Sequence, residues 1–180
     1  MMSIAMNSQK IEGQIQASLT TVNRSRDEVT CVAVTKMRTV DEVASLYEEG
    51  YRNFAENRPE GLLEKQADLT SSDIVWHYVG SLQTRKVKQI INQIDYFHAL
   101  DRLSLAKEIE KRANESISCF VQVNVTGETS KHGVSPDDLM TFIDELEPFS
   151  KIKVVGLMTM APIDASNEEL HRCFEALKQL

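Results

Sequence analysis

Along the first twenty-two positions the apolar residues Ile4, Ile11, Ile15, Leu19 and Val22 fall three, four or seven apart, and this spacing predicts a helix. The period then changes. Cys31-Val32-Ala33-Val34-Thr35 is a short, nearly continuous apolar run, the pattern of a strand buried on both faces of a parallel sheet. Thr39-Val40-Asp41-Glu42 has the spacing of a capping box. Val40, Val43, Leu46 and Tyr47 then share a helical face, and Gly50 supplies the stop. The same unit recurs along the chain. Asn53-Phe54-Ala55 predicts a minimal strand, and Asn57 with Glu60 opens a helix through Leu62, Leu63 and Ala67. Residues 74–79 predict a third strand before a helix through Val87, Ile90 and Ile91. Residues 96–100 predict a fourth, after which Asp101 caps a helix carrying Leu103, Leu105, Ala106 and Ile109. Residues 119–125 and 154–158 predict the fifth and sixth strands. Ser135-Pro136 places a cap and a first-turn proline between them, and Ser166-Asn167-Glu168-Glu169 caps the last helix.

Strands alternating with helices, with no linker rich in Gly, Pro or Ser, predict one α/β domain over residues 1–180 with parallel pairing. Two architectures compete. An open doubly wound sheet lacks its Gly-x-Gly-x-x-Gly signal here. A (β/α)8 barrel typically needs about 200–250 residues and eight units, and the pattern supplies six in 180 residues. Sequence pattern leaves both open. Composition then excludes several classes: 42% hydrophobic and 26% charged residues with only 7 Gly and 4 Pro fit a globular chain, neither collagen-like nor low-complexity. A net charge of −7 argues against a broad nucleic-acid-binding surface. No apolar run approaches the roughly 20 residues of a membrane span, and the start MMSIAMNSQK has neither a basic block nor an apolar one. Cys31, Cys119 and Cys173 include no C-x-x-C pair and read as free thiols of a cytoplasmic protein.

Both architectures place chemistry at the carboxyl ends of strands. Those positions are Thr35-Lys36, Glu56-Asn57, residues 77–81, His98, Asn124 and Met158-Thr159. A strand-end lysine such as Lys36, if desolvated, is an amine nucleophile for a carbonyl, although a lysine whose head group reaches solvent is the commoner arrangement. His77 is either a hydrogen-bonded core histidine or a site residue, and Asn57 either a helix cap or a ligand contact. Arg85, Lys86 and Lys88 read first as a solvated basic face. The 127–133 loop, with Lys131 and His132, reads as a lid or a polar turn. No Ser–His–Asp order, HExxH, P-loop or paired-carboxylate motif stands out. On these grounds the chain is an α/β protein with a candidate reactive lysine.

Several runs, in order, carry a resemblance. They are Val32-Ala33-Val34-Thr35-Lys36, Glu56-Asn57-Arg58, Trp76-His77-Tyr78-Val79-Gly80-Ser81-Leu82-Gln83 with Lys86, and His98-Ala99-Leu100-Asp101. Gln122-Val123-Asn124-Val125, Glu128-Thr129-Ser130-Lys131-His132-Gly133 and Gly156-Leu157-Met158-Thr159-Met160 complete them. From about residue 29 onward the chain resembles the YggS/PROSC family of pyridoxal-phosphate homeostasis proteins. The resemblance implies a TIM-type barrel like the N-terminal domain of alanine racemase, with pyridoxal 5'-phosphate (PLP) held as a Schiff base on Lys36. Asn57 and His77 match positions lining the cofactor pocket, and Met158 a strand end facing it. Ala55 stands where the family usually has Gly, and Pro59 where an aliphatic residue is common. The family also continues into strands seven and eight, which supply most phosphate contacts, so the expectation is an incomplete barrel of about six of the eight units. Its open edges would leave strand residues such as Val32, Val34, Val121, Val123 and Val155 short of cover and favour self-association, where the family is expected to be monomeric. The implied function is PLP binding in vitamin B6 homeostasis without established turnover. PLP and PLP-dependent apo-enzymes are the expected partners, with no nucleic acid and no membrane. The alternatives are a racemase-like enzyme, whose second acid/base would have to come from a further domain, and a fragment with impaired PLP binding.

Overall fold

The computed structural model describes residues 3–127 and 132–180. Six strands form where the periodicity turns apolar and continuous: β1 (Ala33–Val34), β2 (Asn53–Glu56), β3 (Val75–Tyr78), β4 (Tyr96–Leu100), β5 (Ile117–Gln122) and β6 (Ile152–Met158). They lie in the order β1-β2-β3-β4-β5-β6. Pairing is parallel, with Ala33 opposite Phe54, His77 opposite Tyr96, Phe97 opposite Cys119 and Ile117 opposite Ile152. Between them run α1 (Ile4–Thr21, ahead of β1), α2 (Val40–Glu48), α3 (Pro59–Asp68), α4 (Val87–Ile90), α5 (Leu103–Arg112), α6 (Leu139–Leu146) and, after β6, α7 (Asn167–Lys178). Six βα units of this kind agree with the expected fold class.

Side-chain caps explain where three of the seven helices among the described residues start, α1 at Ser3, α2 at Thr39 and α7 at Ser166. Thr39 accepts from the Glu42 amide while Glu42 reaches back to the Thr39 amide, and Ser166 with Glu169 repeats the arrangement. Three predicted caps are corrected. Asp138, not Ser135, precedes α6, and Ser135 Oγ accepts from the Asp138 amide at 3.2 Å in the turn before it, so Pro136 is not the first helical residue. Arg58, not Asn57, precedes α3, because Pro59 holds the first helical position and forces the residue before it extended (φ −136°, ψ 136°). Arg102, not Asp101, precedes α5, and the Asp101 carboxylate instead pairs with the Arg102 guanidinium at 2.5 Å. β1 is also shorter and less covered than its apolar run predicts. Val34 is 50% exposed, because β1 ends the strand order and has only β2 beside it among the described residues. Val155, in β6 at the other end of the order, is 38% exposed. Val121 and Val123 are buried and Val32 is half-buried, so the expected loss of cover is confined to the end strands.

The chain divides into two compact units, one reaching Trp76 and the other starting at His77 within β3. In the first, Val43, Phe54 and Leu62 are completely buried, and the Phe54 and Trp76 rings lie 6.0 Å apart. In the second, Phe97, Leu105, Ala106, Ile109, Cys119 and Val121 are completely buried. Burial pushes the Cys119 thiol up to about 12, which leaves it inert. Ile109→Ala should lower the unfolding free energy by about 2–5 kcal/mol through the cavity left in the second unit. Thr39→Ala, which removes one exposed cap, should cost about 1 kcal/mol. Urea titrations of the two variants beside the parent check both size and order.

Candidate functional site

In the first unit the chemistry gathers where β1 and β2 end. The buried Thr35 continues the ladder, its amide donating to the Ala55 carbonyl at 2.9 Å. The Thr35 carbonyl accepts from the Arg38 amide at 3.0 Å and closes a turn. Lys36 and Met37 are the central residues of that turn. Met37 has φ +63°, as the third position of a type II turn requires, and a non-glycine residue there costs roughly 1–2 kcal/mol. Lys36 is exposed, so burial does not desolvate it, and its ammonium makes no hydrogen bond or ion pair with the described residues. Directly beneath, Glu56 is 2% exposed and its Oε1 accepts from Thr35 Oγ1 and from Lys65 Nζ, each at 2.8 Å. Lys65 reaches inward from α3, and space for its pairing comes from Gly61, where a Cβ would lie 3.0 Å from Glu56 Oε2. Asn57 follows Glu56 and is half-buried.

At the other ends of β1 and β2 a cleft of about 590 Å³ is lined by residues including Glu12, Arg26, Cys31, Tyr51 and Arg52. Arg26 pairs there with Glu12, and Arg52 with Asp73.

In the second unit one sheet face carries an aromatic ladder. His77 stacks on Tyr96 with ring centroids 4.8 Å apart, and His98 stacks on Phe120 at 4.6 Å. His77 Nδ1 and His98 Nε2 lie 2.8 Å apart, so one donates and the other accepts. Such a pair tolerates one added proton but not two. Burial, reinforced by His98, pushes His77 down to about 4, and burial lowers His98 as well. Both rings are therefore neutral at pH 7 and pack as flat aromatic surface within the ladder. Further along, the Met158 carbonyl accepts from the Val123 amide at 2.8 Å, and Thr159 Oγ1 donates to the Val123 carbonyl at 2.9 Å. Gly133 has φ +126°, and a Cβ there would lie 2.8 Å from the Asn124 amide nitrogen, so the return of the chain beside β5 needs glycine.

Residues 9–180 match the family described as alanine racemase, N-terminal domain. The chain belongs to this family. It is 32% identical over 170 residues to the pyridoxal phosphate homeostasis protein of Aquifex aeolicus, covering 93% of this chain and 75% of that one. Its backbone is similar to that of PipY of Synechococcus elongatus, whose structure was solved with PLP bound (TM-score 0.79, 28% identity, 92% of this chain and 78% of that chain). An unknown protein from Bifidobacterium adolescentis has the same fold (TM-score 0.91, 24% identity, 98% and 76% covered).

Against this alanine-racemase-like frame, the predicted site residues fall as follows. Lys36 and Asn57 stand in the first unit, each one residue beyond the buried Thr35–Glu56 contact. His77 is buried in the aromatic ladder, and Met158 is half-buried at the end of β6. Of the basic cluster, Arg85 and Lys88 are exposed, as a solvated face would be, while Lys86 is half-buried. Lys131 and the rest of 128–131 lie outside the described residues. Pattern reading missed Lys65, Tyr96 and Phe120. A glycine at position 61, one helical turn before Lys65, was the available signal for the first. The alternation Tyr96, His98 along β4 was the signal for the ladder.

The His77 shift has a consequence for stability. An unfolded histidine titrates near pH 6.5, and folded His77 at about 4. Between those values the unfolded chain binds more protons, so stability rises with pH and is lost on acidification. His77 alone should remove about 3 kcal/mol between pH 7 and pH 4, and His98 acts in the same direction. Urea unfolding across this range should show the slope, and His77→Gln should flatten it. An equally steep slope in the variant would place its origin elsewhere.

Proposed function

We propose that this chain binds PLP, holds it as a Schiff base on Lys36 and serves PLP homeostasis in the cytoplasm rather than catalytic turnover. The observation that carries the reading is the 28% identity to PipY over 92% of this chain, PipY having been solved with PLP bound. The residues fit such a cofactor. Lys36 is a primary amine in a strand-end turn with no competing partner among the described residues. As the free base, its Nζ would add to an aldehyde carbon, the two N–H protons would pass through solvent to the carbonyl oxygen, and that oxygen would leave as water as the C=N bond forms. Asn57, His77 and Met158 are the further cofactor-binding residues in this reading. The neutral imidazole of His77 suits contact with an aromatic ring. Residues 1–180 act as one PLP-binding domain, and PLP-dependent apo-enzymes are the recipients of the cofactor. Relatives named as homeostasis proteins support a carrier over an enzyme.

Borohydride reduction of the PLP-loaded protein followed by peptide mass mapping should place the pyridoxyl group on Lys36, and Lys36→Ala should lose the visible absorption band. Labelling mainly at Lys86 or Lys131, unchanged by Lys36→Ala, would overturn the assignment. In deuterated solvent, α-carbon exchange of alanine should stay at the rate of free PLP. Protein-dependent exchange that disappears in Lys36→Ala would make the protein an enzyme of the racemase type.

A further inference from the structure

We infer that Glu56, neutralised by Lys65, positions the amine of Lys36 by holding Thr35 through its hydroxyl, an inference that rests on the assignment of Lys36 proposed above. Three observations lead to it. The Glu56–Lys65 pair is 2.8 Å long with both side chains almost completely buried. Such pairs are costly to desolvate, and apolar residues of the same volume often stabilise a fold as well or better. Stability alone is thus a weak reason for the pair, and its location becomes informative. Glu56 Oε1 accepts from Lys65 Nζ and from Thr35 Oγ1. Thr35 is the last anchored residue before Lys36, and Lys36 has no anchor of its own among the described residues.

The turn beyond Thr35 needs that anchor. It places Met37 at φ +63°, a conformation that an unrestrained L-residue leaves. Its closure by the Arg38 amide acts on the Thr35 carbonyl. A hydrogen bond from Thr35 Oγ1 to a buried carboxylate fixes the Thr35 side-chain torsion, and with it the direction in which the chain enters the turn. Lys65 keeps Glu56 in place by supplying the counter-charge from α3. Glu56 and Lys65 touch no reacting atom in this arrangement. They are positioning residues, preorganising the amine from below.

The test uses the full chain, PLP titration followed by visible absorption, and the borohydride-trapped fraction on Lys36. Thr35→Val keeps the shape and removes the hydroxyl, leaving the ion pair in place. It should weaken PLP capture about tenfold, the worth of a hydrogen bond to a charged group, while Thr35→Ser should stay within about twofold of the parent. A second pair of variants avoids an unpaired buried charge. Glu56→Gln with Lys65→Met retains the side-chain acceptor for Thr35, whereas Glu56→Leu with Lys65→Met leaves its hydroxyl only the Ala55 carbonyl, 3.2 Å away. Only the second should lose about tenfold, with both midpoints in urea close to the parent. A structural role would make capture follow the urea midpoint instead of the hydroxyl and its acceptor. Equal capture by Thr35→Val and the parent, equal loss in Thr35→Ser and Thr35→Val, or equal capture by the two double variants would overturn the inference. Lys36→Ala in the same series separates the two levels. If it abolishes capture while the hydroxyl series has no effect, only the positioning role falls. If it leaves capture unchanged, the Lys36 assignment falls and the positioning role with it.

Discussion

Parallel strand pairing is the constraint from which the rest of this molecule follows. A strand that pairs in parallel with its predecessor must be preceded by a return crossing, and here helices make that crossing between successive strands. The helices cover one face of the sheet, so that face becomes apolar and tightly packed: Phe97, Cys119 and Val121 are all completely buried. Within each unit the carboxyl ends of the paired strands point the same way and are free of this packing duty. Polar residues collect there for that reason, and Thr35, Glu56, Gln122 and Thr159 are among them.

Burying polar groups at those ends has been solved differently in the two units. In the first, charge is kept and matched. Glu56 and Lys65 form a short ion pair, and the Thr35 hydroxyl adds a second donor to the carboxylate. In the second, charge is given up. His77 and His98 share one short nitrogen–nitrogen contact, and their positions in the protein favour the neutral rings. The first arrangement fixes a backbone turn and its lysine, because an ion pair on rigid elements has one geometry. The second makes a flat neutral surface, because stacked rings spread their contacts over an area.

Much of this was legible in the residues alone. Capping boxes at Thr39–Glu42 and Ser166–Glu169, the stop at Gly50 and the six apolar runs are local signals, set by hydrogen bonding and periodicity within a few residues. The order of the elements and the strand-end position of Lys36 followed from them, whereas the alanine-racemase-like family was legible only through the resemblance carried by runs such as Val32–Lys36 and Trp76–Gln83. What tertiary structure decided were the matters that depend on distant neighbours. Lys65 went unread in the pattern, because its partner Glu56, which holds it inward, lies on another element. Val34 reads as core from its apolar run and as short of cover from the incomplete barrel that the resemblance implies, and its place at the end of the strand order decides for the second. The cap before α3 moved from Asn57 to Arg58 for a local reason, the extended conformation that Pro59 imposes, which pattern reading passed over. The pairing of His77 with His98 joins residues twenty-one apart. Sequence determines what each segment can form, because propensity acts within one segment. Burial and partnership are decided only when segments meet, since the environment of a charge is made by residues the local pattern does not contain.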